Sequence, residues 1–590
     1  MCGIVGYIGN QQAAPILLNA LKKLEYRGYD SAGLATITDS HVCIKKDAGT
    51  LVEVNTKHQL NELPGIAGIG HVRWATHGAV TASNAHPHLD CNQEIAIVHN
   101  GIIENHQELR SRLSARHRFT SDTDTEVIAH LIEEYASTGS SLEEAVRLTS
   151  RELKGSYAIA AVSAKEPGKM VAARKDSPLV AGIANGGNFV ASDCLSFLEQ
   201  TDRIIYVEDG ECVILTGDKV SLFDNDGHEI KRTPSKASWK VDEATKQGYD
   251  FFMMKEILEQ PQAIRHALMQ DRTLMMEMAL EILRARQVLF TACGTSRHAA
   301  LIGRYVFSRL SSKFCDVVMA SELGYFSDSV DKNTLVIAVS QSGETADVMN
   351  GVKKAKENGA TIFSLVNVVG SSLARMSDRV AYLNCGPEIG VAATKSFTAQ
   401  LTILYLLAYT MINRFDQGVG QLNAVSDLIA DNLQHNGLEV PKIANRMSRK
   451  NDFYYIARGI NFATAGEGAL KLKEIAYVHA EGMPAGELKH GTLALITEGT
   501  PVVAICPGDY TFDETLSNIA ETKARGARVI GVSDRQEPAF DEWIEIPEVD
   551  EIFYPLVSII PLQLFAYHSA VARNLDPDKP RNLAKSVTVK

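Results

Sequence analysis

Cys2 directly follows the initiator in Met1-Cys2-Gly3-Ile4-Val5-Gly6. Removal of a methionine before a small side chain would leave a thiol and a free α-amine on one residue. A thiolate is a strong nucleophile, and an α-amine with a pKa near ~8 is a far better base at neutral pH than a lysine at ~10.4. Nucleophile and general base could then belong to the same residue. Further on, His71-Val72-Arg73-Trp74-Ala75-Thr76-His77-Gly78 is dense in hydrogen-bonding groups. Arg73 could grip a carboxylate bidentately. Asn100-Gly101, directly after an apolar strand, offers a side-chain amide and a backbone N–H suited to an oxyanion. Asp124 reads by itself as the cap of the helix that follows. The histidines 71, 77, 86, 88 and 99 raise a metal reading. No H-x-x-x-H pair on a helix and no flanking cysteine pair completes a ligand set, so neither a metal nor a cofactor is expected.

The second half carries a different chemistry. Thr295, Ser296, Ser340, Gln341, Ser342 and Thr345 lie in two strand-to-helix loops. Ligands of parallel sheets sit beyond the strand C-termini, where helix N-termini offer free N–H groups and a positive dipole end. Capping needs one hydroxyl per helix, and these loops hold five, enough to wrap a phosphate without metal or lysine. The absence of G-x-x-x-x-G-K-[ST] and of a well-placed G-x-G-x-x-G argues against a nucleotide. Glu467, Lys471 and Glu474 share one helix face, either a solvated ion-paired surface or a functional group of charges. His490 lies in a glycine-flanked loop, and the tail Pro580–Ser586 around Lys585 would by default be frayed.

The elements that must position these groups fall into two styles. Residues 1–225 read as many short strands with a few helices, among them strands near 94–99, 157–162 and 204–207 and a helix from Thr125 to Tyr135. Residues 226–247 lose apolar periodicity and read as a linker, followed by a helical lead-in over 248–283. Beyond it, buried strands alternate with helices, the pattern of a doubly wound parallel sheet, and the pattern repeats. Gly359 comes 25 positions after Thr334 and its counterpart Gly526 comes 26 after Thr500, each segment a strand, loop and helix. Two such domains are expected at 284–425 and 452–575, joined by a connector at 426–451 and followed by a tail at 576–590. The second copy offers Ile460, Cys506 and Pro507 where the first has hydroxyls, so one phosphate site is expected, in the first copy.

A chain of 590 residues should hold about two to four domains. The net charge of −12, with no basic run, argues against a nucleic-acid partner. The start lacks a basic leader and a cleavage site, and the apolar stretch Ala399–Ile412 is shorter than the ~20 residues that cross a bilayer, so no membrane segment is expected. Nine scattered cysteines without C-x-x-C spacing suit a reduced cytoplasm.

Taken in order, these motifs resemble those of the isomerizing glutamine–fructose-6-phosphate aminotransferases, the glucosamine-6-phosphate synthase family. The resemblance covers nearly the whole chain: CGIVGYIG at Cys2–Gly9, LEYRGYDSAG at Leu24–Gly33, RWATHG at Arg73–Gly78, NAHPH at Asn84–His88, HNGIIEN at His99–Asn105, ACGTS at Ala292–Ser296, SQSGETAD at Ser340–Asp347, EGALKLKEI at Glu467–Ile475, GELKHG at Gly486–Gly491 and PRNLAKSVTV at Pro580–Val589. It implies an N-terminal-nucleophile hydrolase of αββα layers followed by two αβα sugar isomerase domains. It further implies that Cys2 hydrolyses glutamine, with Asn100 and Gly101 as oxyanion hole and Arg73, Thr76, His77 and Asp124 holding the substrate. Trp74 matches the gate of an ammonia channel. Thr295, Ser296, Ser340, Gln341, Ser342, Thr345 and the backbone at Val391 match the sugar-phosphate site. Lys585 matches the Schiff-base lysine, Glu474 the C1–C2 proton carrier, Lys471 its helper, and His490 a ring-opening residue supplied across a homodimer. The implied reaction makes D-glucosamine 6-phosphate and L-glutamate from D-fructose 6-phosphate and L-glutamine, at the start of hexosamine biosynthesis.

Two positions depart from the family pattern: Ala393 where a serine is expected near the sugar, and Thr492 where a proline is expected. Other enzymes with the same glutaminase half fit less well. An asparagine synthetase would need S-G-G-x-D-S, a phosphoribosyl amidotransferase an acidic pair before a phosphate loop, and a pyridoxal-phosphate enzyme a cofactor pocket around Lys585. A non-catalytic sugar-phosphate sensor would need neither the nucleophile domain nor Glu474, His490 and Lys585 together.

Overall fold

In a computed structural model that describes residues 2–38, 41–237, 239 and 245–588, the chain divides into two compact units. Met1 and residues 238 and 240–244 of the expected linker lie outside the described residues.

The N-terminal unit is built on two antiparallel sheets of eight and seven strands. Strand Ile95–Ile103 shows how its sequence sorts the layers. Successive side chains of a strand point to opposite faces. Ala96 and Val98 accordingly join a core with Ile4, Ile8 and Ile69 of the other sheet, whereas Ile95, Ile97 and Ile103 pack on helices Glu126–Ser137 and Leu142–Glu152. Strand Gly155–Ser163 divides the same way, Ala158, Ala160 and Val162 inward and Tyr157, Ile159 and Ala161 towards the helices. Helix Ala13–Lys22 covers strands Gly3–Gly9 and Ala67–Arg73 of the first sheet. The layers are thus helix, sheet, sheet, helix. The expected boundary at residue 225 falls too early: Glu229–Ile230 and Ser235–Lys236 pair as edge strands, one on each sheet.

The second unit contains two five-stranded parallel sheets of identical order. In the first, Gln287–Ala292 lies between Asp316–Met319 and Thr334–Ser340, followed by Thr361–Val366 and Arg379–Tyr382. In the second, Asp452–Ala457 lies between His479–Pro484 and Pro501–Ile505, followed by Arg528–Ser533 and Glu542–Glu545. Strand order 2-1-3-4-5 in both confirms the repeat. One apolar core runs through both copies, joining Val288 and Phe290 to Tyr455 and Ala457. Helix Lys395–Met411, which holds most of the apolar stretch, is buried along its whole length. Tyr554–Ala572 is apolar and long enough to cross a membrane, yet it too is buried in this core. The expected connector at 426–451 is instead the second half of a continuous helix, Phe415–Met447.

Candidate active sites

In the N-terminal unit the pairing Gly3↔Val72 brings the start of the first strand to the end of Ala67–Arg73. Cys2 therefore lies against Trp74, whose amide donates to Sγ at 3.2 Å and whose carbonyl lies 3.4 Å from it. Burial pushes the Cys2 thiol up from its ordinary value, and the Trp74 amide and the Arg73 charge offset part of that. Asn100 Nδ2 donates to the Cys2 carbonyl oxygen at 2.9 Å, so the side-chain amide stands beside the nucleophile. Gly101 has φ +125°, and a Cβ there would come within 2.0 Å of the Ser156 carbonyl oxygen, so only glycine fits.

His71 orients the Asn100 amide. Its Nε2 lies 3.0 Å from Asn100 Oδ1 and 3.1 Å from the His99 carbonyl. Two acceptors on one nitrogen require that it carry the proton, which leaves the Asn100 NH₂ to face Cys2. Burial depresses the His71 pKa to about 3, so the ring is neutral at physiological pH. His86 stacks on it with ring centroids 4.1 Å apart, and burial also holds His86, His88 and His99 below the usual imidazole range.

Arg73 is buried and donates to the carbonyls of His77, Gly78 and Ala79, which shapes the loop carrying Thr76 and His77. Asp124 does not cap the following helix, whose N-cap is Thr125 without a side-chain bond. Its Oδ2 accepts from the Ile103 amide at 2.8 Å, tying Asp124 to the strand that carries Asn100. Trp74 packs edge-on to Tyr29 at 5.9 Å.

In the second unit, helix Gly294–Ser311 of the first copy meets helix Asn461–Ala476 of the second. The charged face is buried rather than solvated. Lys471 Nζ donates to Glu474 Oε2 at 2.5 Å and to Thr295 Oγ1 at 2.9 Å, and the Thr295 hydroxyl donates to Glu467 Oε1 at 2.9 Å. His298 Nδ1 lies 2.7 Å from Glu467 Oε2. Burial alone would raise Glu467 and lower Lys471. Their mutual attraction, with His298 beside Glu467 and Glu474 beside Lys471, outweighs it, so the carboxyl is depressed and the ammonium raised. The side chain of Glu474 is 21% accessible, against 1% for Lys471.

The hydroxyl-rich loop follows strand Thr334–Ser340 and opens helix Ala346–Glu357. Ser340 Oγ accepts from the Gly343 amide at 3.1 Å, and Ser342 Oγ from the Glu344 amide at 3.2 Å. Ser340 and Thr345 hydroxyls lie 3.4 Å apart, and Ser296 Oγ accepts from Gln400 Nε2 at 2.9 Å. Gly343 has φ +63°, and a Cβ there would meet Ser371 Oγ at 2.1 Å. In the second copy the equivalent loop holds a carboxylate. Asp509 accepts from the Thr511 amide at 2.8 Å, the Thr511 hydroxyl at 2.7 Å and Asn461 Nδ2 at 2.9 Å, so a carboxylate stands in the turn that precedes helix Phe512–Lys523.

The tail is not frayed. Asp578 accepts from the Phe252 and Met253 amides, both at 2.8 Å, and its carbonyl accepts from the Val391 amide at 3.1 Å. Lys585 Nζ, its side chain 5% exposed, donates to Glu388 Oε2 at 2.5 Å and to the Gly390 carbonyl at 2.8 Å. Burial raises the Glu388 carboxyl, but Lys585 and the Ser396 and Thr394 amides outweigh it and hold it at about 2. Glu256 Oε1 accepts from the Ile389 and Gly390 amides, and burial pushes this carboxyl up to about 8 despite Lys585 and Lys395. Sequence reasoning assigned no role to Glu388 or Glu256; the available signal was Glu388 itself, three residues before Val391. His490 stands exposed at the end of the short helix Ala485–His490 and, among the described residues, makes no hydrogen bond to Glu474 or Lys585.

Residues 71–199 match the glutamine amidotransferase domain family, and residues 281–410 and 446–573 each match the SIS domain family. The chain is 49% identical over 602 residues to the glutamine–fructose-6-phosphate aminotransferase (isomerizing) of Thermococcus kodakarensis, with 100% of both chains covered. It is 44% identical over 616 residues to the protein of the same name from Clostridium tetani, again with 100% of both covered. The solved C-terminal domain of glucosamine-fructose-6-phosphate aminotransferase from Francisella tularensis superposes with a TM-score of 0.53 at 34% identity, covering 57% of this chain and 100% of that one. With full-length identity of this order and a glutaminase domain followed by two SIS domains, the chain belongs to the family of isomerizing glutamine–fructose-6-phosphate aminotransferases.

Proposed function

We infer that the chain converts D-fructose 6-phosphate and L-glutamine into D-glucosamine 6-phosphate and L-glutamate. The observation that carries this reading is the presence in one chain of a half-buried thiol at Cys2 beside Asn100 and a buried tail lysine docked on the first SIS domain. Cys2 Sγ attacks the glutamine side-chain amide, forming a thioester as the C–N bond breaks and ammonia leaves, and water then releases glutamate. Asn100 Nδ2 and the Gly101 amide receive the oxyanion. Thr76, His77 and Asp124 hold the substrate, and Arg73 acts by fixing the 77–79 loop.

On the sugar side, the loop Ser340–Thr345 with Thr295 and Ser296 takes the phosphate at the helix N-terminus. Lys585 attacks the open-chain ketone and expels water as an imine. Its ammonium must first lose a proton, and the contact with Glu388 holds the side chain in place. Ammonia displaces Lys585 from C2, and Glu474 then carries a proton from C1 to C2, its carboxylate held in place by Lys471. His490, exposed in the single chain, serves ring opening in the partner's site of a homodimer. Sodium borohydride added with fructose 6-phosphate should reduce the imine and label the peptide containing Lys585. A label elsewhere, or none, overturns the assignment.

A further inference from the structure

The N-terminal unit contains a second cluster of reactive side chains that shares no residue with the Cys2 pocket. Cys91 lies in the turn between strands His88–Leu89 and Ile95–Ile103, His117 follows helix His106–Leu113, and His130 and Glu133 lie three apart on helix Glu126–Ser137. One donor atom from each, Sγ, Nδ1, Nδ1 and Oε2, lies within 4.8 Å of all the others. We propose that Cys91, His117, His130 and Glu133 form a structural zinc site.

The spacing supports four-coordination. A tetrahedral zinc with bonds of about 2.3 Å to sulfur and about 2.05 Å to nitrogen or oxygen sets S–N edges of about 3.6 Å and N–O edges of about 3.3 Å. Cys91 Sγ lies 3.6 Å from Nδ1 of both histidines. The N–O edges are 2.8 Å to His117 and 3.2 Å to His130, so an ion would widen the tighter one by about half an ångström. Thiolate, imidazole and carboxylate together suit zinc better than the hard oxygen-seeking cations. Four protein donors close the site, which makes it structural rather than catalytic.

A simple hydrogen-bonded cluster accounts for less. Glu133 Oε2 accepts from the Cys91 amide at 3.1 Å and faces both imidazoles, which explains the carboxylate. It does not explain why the sulfur is equidistant from two nitrogens whose protons point at Glu133. Nor does it explain His130 Nε2, buried without a hydrogen bond and 3.8 Å from Glu126 Oε1. Coordination through Nδ1 moves the ring proton to Nε2, where it faces that carboxylate, the usual support of a metal-bound histidine. Glu126 is fixed in turn by Thr120 and Ser121. Binding converts the Cys91 thiol to a thiolate, its proton going to solvent, and the exposed sulfur gives the ion a way in. The ion would clamp the 90–94 turn to the helix that follows Asp124 and Thr125, and so steady the pocket from behind.

The test uses the full chain carrying Cys2→Ala, so that the nucleophilic thiol cannot bind metal, stripped with a chelator and dialysed. Zinc competition titration should give one ion per chain, and Cys91→Ser in the same background should bind at least tenfold more weakly. Cobalt(II) should produce a thiolate charge-transfer band that Cys91→Ser abolishes. Cys91 is exposed, so its replacement is not expected to unfold the domain, and His130→Gln gives a second, independent loss. No stoichiometric zinc and no cobalt band, or zinc binding unchanged by Cys91→Ser, would overturn the proposal.

Discussion

At the residue scale, each site depends on a polar group fixed by one neighbour. Asn100 faces Cys2 because neutral His71 holds its other side, so His71→Leu should lower glutamine hydrolysis by about 10–100-fold, somewhat less than the 10²–10³ lost with an oxyanion donor itself. Steady-state glutaminase assays read this directly, and an unchanged rate would remove His71 from the account. Cys2→Ala should abolish glutamine hydrolysis while fructose 6-phosphate binding, followed by calorimetry, persists. Cys2 stood out as a candidate through its second position together with the motifs that follow it, not through its position alone. The role of His71 was not legible, because it arises from the packing of strand Ala67–Arg73 of one sheet against Ile95–Ile103 of the other, a contact that no local pattern states. Glu388 was hidden likewise, since only the docked tail brings Lys585 to it.

At the element scale, the two SIS sheets share a topology but not the hydroxyls of the loop beyond the third strand. Removing two hydroxyls from the first loop, Ser342→Ala with Thr345→Val, should weaken fructose 6-phosphate binding by about 2–4 kcal/mol, since each hydrogen bond to a charged group contributes ~1.5–3. Calorimetry should find one sugar phosphate per chain, because the second copy lacks the hydroxyls and places the Asp509 carboxylate in the corresponding turn. A second site, or unchanged affinity in the double variant, would refute the asymmetry. The repeat itself was readable from strand spacing. The connector was not: helix Phe415–Met447 runs on through Gly437 and Pro441, where packing on the shared core overrides propensity. The edge strands at 229–230 and 235–236 were invisible because two residues carry no alternation.

At the scale of the whole molecule, burial of neutral histidines makes the N-terminal unit acid-sensitive. His71 has a folded pKa near 3 against 6.5 when unfolded, so below about pH 6.5 the unfolded chain binds the extra proton and stability falls with pH, by about 1.4 kcal/mol per pH unit for one such group until the folded pKa is reached. His86, His88 and His99 shift in the same direction and add to the slope. Calorimetry between pH 7.5 and 5 should show the transition of this unit dropping steeply; a flat transition temperature would contradict the buried neutral cluster. The central claim is that nitrogen released at Cys2 is joined to a sugar held by Lys585. Its most direct test supplies fructose 6-phosphate and glutamine labelled with ¹⁵N in the side-chain amide, and follows the products by mass spectrometry. The account predicts ¹⁵N-glucosamine 6-phosphate in step with glutamate from the native chain, and glutamate without amino sugar from Lys585→Arg. Glutamate without labelled amino sugar from the native chain, or undiminished amino sugar from Lys585→Arg, would contradict it.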